Sequence, residues 1–124
     1  MIKTVLFDLD DTLLGNDMDI FLPQYFALLD KYTARHLQVT GLIPAMLQAS
    51  EFMVRNTDPA LTNNDVFWQE FDKLIALDRM ECELLFDNFY FGEFNQLKNI
   101  TETVPGAVDT VQACLRKGYK VVIA

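Results

Sequence analysis

Asp8, Asp10 and Asp11 stand where an apolar run breaks, in the stretch VLFDLDDTLLG from Val5 to Gly15. In an extended chain residues two apart point the same way, so Asp8 and Asp10 project into one place while Leu9 and Asp11 face elsewhere. Two carboxylates held that close repel, and one stays protonated unless a cation intervenes. A hard dication such as Mg²⁺ resolves the conflict, because it takes carboxylate and carbonyl oxygens. The chemistry that needs such a pair is phosphoryl transfer through a carboxylate. One Asp attacks phosphorus and becomes an aspartyl phosphate. The other protonates the departing alkoxide and then takes a proton from the water that hydrolyses the intermediate.

Asp8, nearest the strand and fixed by it, suits the nucleophile, and Asp10 suits the acid/base. A free carboxyl is ionised at neutral pH, so Asp10 must be partly desolvated or hydrogen-bonded to donate a proton. Backbone N–H groups of the turn after Asp8, those of Leu9 and Asp10, are expected to bind phosphate oxygens. Asp11 reads as a turn or cap residue, and Thr12 as a local hydrogen-bonder that fixes the loop. His36, the one histidine, is expected to act structurally near a helix C-terminus. Phe86, Phe89, Tyr90, Phe91, Phe94 and Trp68 read as core before pocket. Gly15 and Asn16 fit either a hinge or an ordinary turn.

The elements that must position these residues are legible in the periodicity. Residues 3–8 are β-branched and aromatic without polar alternation, as in a central parallel strand buried on both faces. Open parallel sheets bind ligands at the C-terminal edge of such strands. From Asp17 to about Gly92 helical spacing takes over. Leu22, Phe26, Leu29, Thr33 and Leu37 mark a first helix, with Pro23 tolerable in a first turn. A second runs from Pro44 to Arg55. A third starts after Thr62, whose cap is completed by Asp65, with Phe67, Phe71, Leu74 and Ile75 on one face. A fourth, from about Met80 to Tyr90, takes Asp78 as its cap and Leu84, Leu85 and Phe89 as its stripe. Four amphipathic helices in a row suggest a small bundle. VPGAVDTVQACLRKGYKVVIA then reads as a turn at Pro105-Gly106, a helix from about Ala107 to Lys117, a stop at Gly118 and a second apolar strand. The stretches 57–64 and 93–103 are expected to be flexible links.

With a net charge of −8 and no Lys/Arg cluster, the chain lacks the electrostatic footprint for nucleic acid or an anionic membrane. Its start runs straight into a strand without signal-peptide character, and no apolar run approaches a spanning length. Cys82 and Cys114 read as buried hydrophobes in a reducing compartment, so a cytoplasmic location is expected.

FDLDDTL, Phe7 to Leu13, resembles the first signature motif of the haloacid dehalogenase-like (HAD) hydrolase superfamily, an apolar strand followed by Asp-x-Asp-x-Thr/Val. The resemblance implies a Rossmann-like α/β core, with Asp8 as nucleophile and Mg²⁺ ligand and Asp10 as acid/base with its main-chain carbonyl on Mg²⁺. The stretch 16–97 resembles the helical cap domain that many members insert after this motif, and the Pro-Gly-helix-strand segment resembles the return to the core. The implied organisation is an incomplete core over 1–15 and 98–124, with only its first two parallel strands, and a helical bundle cap over 16–97. The implied activity is a Mg²⁺-dependent phosphatase acting on a small phosphorylated metabolite.

A phosphomutase is the near alternative. A dehalogenase is disfavoured by Asp10, since the family's dehalogenases lack an acid there. A homologue that binds phosphorylated ligands without turnover is the non-enzymatic alternative; a receiver domain is contradicted by the helical stretch. The phosphate-binding Thr or Ser of the second motif, the Lys of the third and the acidic pair of the fourth have no counterpart in these residues. Two parallel strands and one helix leave both strands largely uncovered, and such a sheet is not a stable unit. The 124 residues are therefore expected to be part of a longer enzyme and inactive alone.

Overall fold

The apolar run after Lys3 forms a strand, β1 (Thr4–Phe7), in a computed structural model that describes residues 1–37, 39 and 41–124. After it come β2 (Leu14–Gly15), α1 (Met18–His36), α2 (Leu42–Arg55), α3 (Asn63–Leu74) and α4 (Arg79–Phe91). A 3₁₀ run over Glu93–Ile100, β3 (Glu102–Thr103), α5 (Ala107–Arg116) and β4 (Lys120–Ile123) complete the chain. The protein is mixed α/β and mostly helical, with a small parallel sheet of two strands. It forms two compact units, Met1–Gln24 with Gln96–Ala124, and Tyr25–Asn95. None of the described helices is long and apolar enough to cross a membrane.

In the first unit β1 pairs in parallel with β4, from Thr4 opposite Lys120 to Phe7 opposite Ile123. Helix α5 makes the return, and glycines set both of its ends. Gly106 (φ 80°) supplies the left-handed turn that enters it, and Gly118 (φ 77°) the one that leaves it. At the exit Gly118 N–H donates to the Leu115 carbonyl (2.9 Å) and Tyr119 N–H to that of Cys114 (3.1 Å), a Schellman closure that turns the chain into β4.

Neither strand has the double burial expected of β1. Exposed and half-buried positions alternate along it, and Leu6 is 62% exposed. The reason is a shortage of covering layers: with two strands and α5, this unit buries only Leu97 and Ala107 among its described hydrophobic residues.

A second pairing lies beyond what the sequence predicts. β2 and β3 run antiparallel, Leu14 opposite Thr103 and Gly15 opposite Glu102, extended by Val104 N–H donating to the Leu13 carbonyl (3.1 Å). The stretch 93–103, expected as a flexible link, is thus mostly 3₁₀ helix and paired strand.

The second unit holds the packed core, built from Leu29 and Tyr32 of α1, Leu42, Ala45 and Ala49 of α2, Trp68 and Phe71 of α3, and Cys82, Leu85, Phe86 and Phe89 of α4. Helix starts obey local chemistry. Thr62 and Asp65 form a reciprocal capping box on α3, and the Asp78 carboxyl accepts the Glu81 amide at the start of α4. Pro44 lies in the first turn of α2, where a missing N–H is harmless. Helix α1 begins at Met18, earlier than its apolar stripe suggests, so Pro23 falls in the second turn and removes one intrahelical bond.

Three stripe residues face outward: Leu22, Leu74 and Leu84 are 41%, 39% and 63% exposed. On α4 the core takes Cys82, Leu85, Phe86 and Phe89, an i, i+3, i+4, i+7 set that leaves adjacent Leu84 outside. Tyr32 and Trp68 take inward positions on α1 and α3.

Candidate functional site

Strand β1 ends at Phe7, so Asp8 is the first residue past its C-terminal edge. The chain then makes a tight turn organised around one acceptor. The Leu9 carbonyl receives the amides of Thr12 (3.3 Å), Leu13 (2.9 Å) and Leu14 (2.9 Å). Asp11 adopts the left-handed conformation (φ 56°), which a short polar side chain tolerates, and its N–H then reaches the Leu14 carbonyl at 2.7 Å.

This arrangement leaves specific groups open. Among the described residues no protein acceptor takes the amides of Leu9 or Asp10, and no protein donor reaches the Asp10 carbonyl. Asp8 and Asp10 are both exposed. Thr12 Oγ1 donates to Asp8 Oδ2 at 3.3 Å, so Thr12 ties the turn back to the first carboxylate. The expectation that Asp10 is partly desolvated or hydrogen-bonded is not met: its carboxyl is exposed and receives no protein donor among the described residues. Among the described residues the parallel sheet at this edge holds only β1 and β4.

As oxygen donors for a hard dication, the Asp8 carboxylate and the Asp10 carbonyl are unencumbered apart from the Thr12 hydroxyl. Mg²⁺ is commonly held by one or two carboxylates, with waters and substrate phosphate filling its octahedron, so this donor set fits it. Among the described residues no group of three His, Cys, Asp or Glu side chains is arranged to hold a metal by itself.

The other candidate residues separate. Exposed His36 sits in the last turn of α1, its ring centroid 4.4 Å from that of Tyr32. Phe86 and Phe89 are core residues, whereas Tyr90 and Phe91 are 42% and 86% exposed. Phe86, Tyr90, Phe67 and Trp68 also line a groove of about 350 Å³ in the helical unit. Burial, helped by the Tyr90 hydroxyl at 2.7 Å, pushes the Tyr25 hydroxyl well above the usual phenol range. Cys82 and Cys114 are free thiols, and burial raises Cys82.

Gly15 is no free hinge, since it is paired with Glu102, and Asn16 is buried. Nothing in the sequence singles out Glu102. Its placement depends on a two-residue pairing between distant segments, which is too short to carry a period. No family model matches this chain, and no curated protein or solved structure matches it either.

Proposed function

We propose that this chain carries the catalytic front of a Mg²⁺-dependent phosphate monoester hydrolase of the HAD type, acting in the cytoplasm on a small phosphorylated metabolite. The observation that supports the reading best is the turn after β1, which leaves two carboxylates and two adjacent backbone amides open at the C-terminal edge of a parallel strand.

In this reading an Asp8 carboxylate oxygen attacks phosphorus and the P–O bond to the alcohol breaks. Asp10 gives its proton to the departing alkoxide, so neutral alcohol leaves. Water then attacks the aspartyl phosphate, Asp10 takes the water proton, and inorganic phosphate departs with Asp8 restored. The open Leu9 and Asp10 amides donate to the phosphoryl oxygens as charge moves onto them. The Thr12 hydroxyl holds Asp8 in line. Mg²⁺, when held by the Asp8 carboxylate and the Asp10 carbonyl, supplies positive charge that lets carboxylate and phosphate meet. The bound ester itself desolvates Asp10, which the chain alone leaves in water. The exposed positions along β1 and β4 support the reading that further elements cover this sheet in the working enzyme.

The test is phosphate release from an aryl phosphate, with and without Mg²⁺, by the protein purified from its source. Mg²⁺-dependent turnover is expected, with Asp8→Asn abolishing it. Undiminished turnover in that variant, or none in the complete wild-type protein, overturns the reading.

A further inference from the structure

The groove of about 350 Å³ in the helical unit is lined by the rings of Phe67, Trp68, Phe86 and Tyr90. Each of these rings is held by others. Phe67 stacks on Phe71, with centroids 5.4 Å apart and planes 14° from parallel, and Trp68 stands edge-on to both at 5.6 Å. Phe86 packs against Phe71 at 6.0 Å. Tyr90 meets Phe89 and Phe94 edge-on at 5.3 Å, and its hydroxyl shares a hydrogen bond with that of Tyr25 at 2.7 Å. Walls fixed in this way lose little freedom when a ligand arrives.

Glu83 and Asp87 also line the groove, one turn apart and so on the same side of α4. No Lys, Arg or His lines it. Glu83 is already paired: Arg79 Nε donates to its Oε1 at 2.9 Å, and the same guanidinium lies over the Trp68 ring, 5.0 Å from the centroid. The chain thus sets a cation of its own between a carboxylate and an aromatic ring at the groove's border. Asp87 has the carboxylate and the neighbouring rings without the cation. Among the described residues it has no ion-pair partner.

Charge and surface together select a ligand. An anion would meet two carboxylates offset by a single guanidinium. A hard metal ion needs oxygen ligands around it, and the described acids form no group that could supply them. A neutral apolar molecule would cover the Asp87 carboxylate without replacing its water. An ammonium ion carrying N-alkyl groups satisfies both features of the groove, because its surface is apolar while its charge is drawn to ring faces and to a carboxylate alike.

We propose that this groove binds a small N-alkylated ammonium ion, seated against its aromatic walls with Asp87 as counter-ion. Every lining residue belongs to the unit Tyr25–Asn95, so the inference stands independently of the hydrolase reading.

The probe is choline, titrated into the full chain at constant ionic strength. Trp68, the sole tryptophan, lines the groove and reports binding by its fluorescence, with amide chemical shifts monitored in parallel. A saturable change is expected, with shifts centred on residues 64–68 and 83–90. The neutral isostere 3,3-dimethylbutan-1-ol, which keeps the shape and lacks the charge, is expected not to saturate. Asp87→Asn, a change at an exposed side chain, is expected to weaken choline binding about fivefold while the dichroism spectrum stays that of the wild type. Tyr90→Leu, which removes an exposed ring, is expected to weaken it about threefold. Failure of the folded wild-type protein to bind choline, equal binding of the neutral isostere, or unchanged affinity in Asp87→Asn overturns the proposal. So does a set of shifts that lies outside the groove.

Discussion

Replacing Asn16 by Leu should make the protein more stable. The Asn16 Oδ1 is buried without a partner among the described residues, and leaving such an acceptor unsatisfied costs about 1–3 kcal/mol. The amide nitrogen gives little back, since it meets a thioether sulfur at 3.9 Å, a weak acceptor at long range. Leu has the same number of side-chain heavy atoms and the same branching, with bulkier tips, and removes both polar ends at once. The net gain should be about 1–2 kcal/mol. At about 4 °C of melting temperature per kcal/mol for a chain of this size, the midpoint should rise by roughly 4–8 °C.

Far-UV circular dichroism during heating and urea titration measures the change. Trp68, the sole tryptophan, lies in the helical unit and provides a second probe that reports there alone. The gain should therefore show in the chain-wide dichroism transition more than in the Trp68 signal. Asn16→Asp, which buries another carboxyl beside Asp17, should instead destabilise by more than about 1 kcal/mol, the penalty for an unpaired buried acid. A lower midpoint for Asn16→Leu would refute the reasoning, because it would mean that Oδ1 has a partner which the variant loses.

Phe89, fully buried among the rings of Tyr25, Tyr32 and Phe94, anchors the helical core, so Phe89→Ala should cost about 3–5 kcal/mol. Urea unfolding monitored by Trp68 fluorescence checks this, and a loss below about 1 kcal/mol would contradict the packing described. At the start of α3, hydrogen bonds from the Thr62 hydroxyl and amide hold the Asp65 carboxyl below its ordinary 3.8. Because the folded value is depressed, this contribution is present above the unfolded value and fades as pH falls through the folded one. Thr62→Ala should thus lower the melting temperature by about 3–5 °C at neutral pH. The gap between wild type and variant should narrow below about pH 4, and a gap that stays constant down to about pH 2 would exclude the linkage.

Legibility in the sequence tracked the range of the interaction. The Thr62–Asp65 box, the Asp78 cap and the glycine turns at 106 and 118 are written within a few neighbouring residues, and each formed where its chemistry pointed. The same holds for the strand that ends at Phe7 and presents Asp8. Which face of a helix turns inward is a different matter, for it depends on partners elsewhere in the chain. Leu84 and Leu85 carry the same side chain, and only the position of three other helices leaves one out. The pairing of Leu14–Gly15 with Glu102–Thr103 has no local signal, and the burial of Asn16 is equally hidden. In the turn after β1 the acidic residues are evident, but the left-handed Asp11 and the shared Leu9 carbonyl are not, because backbone bonding within one short turn leaves no compositional trace.

The antiparallel contact between β2 and β3 also governs how the protein can vary. The helical unit, Tyr25–Asn95, lies within the stretch between Gly15 and Glu102, two residues that sit side by side in one ladder. Everything between them is, topologically, a loop whose ends are already joined. Lengthening or shortening such a loop changes its closure entropy only logarithmically, so the sheet unit is nearly indifferent to what it carries there. The helical segment can therefore change in length at little entropic cost to the Asp8 turn and its supporting strand.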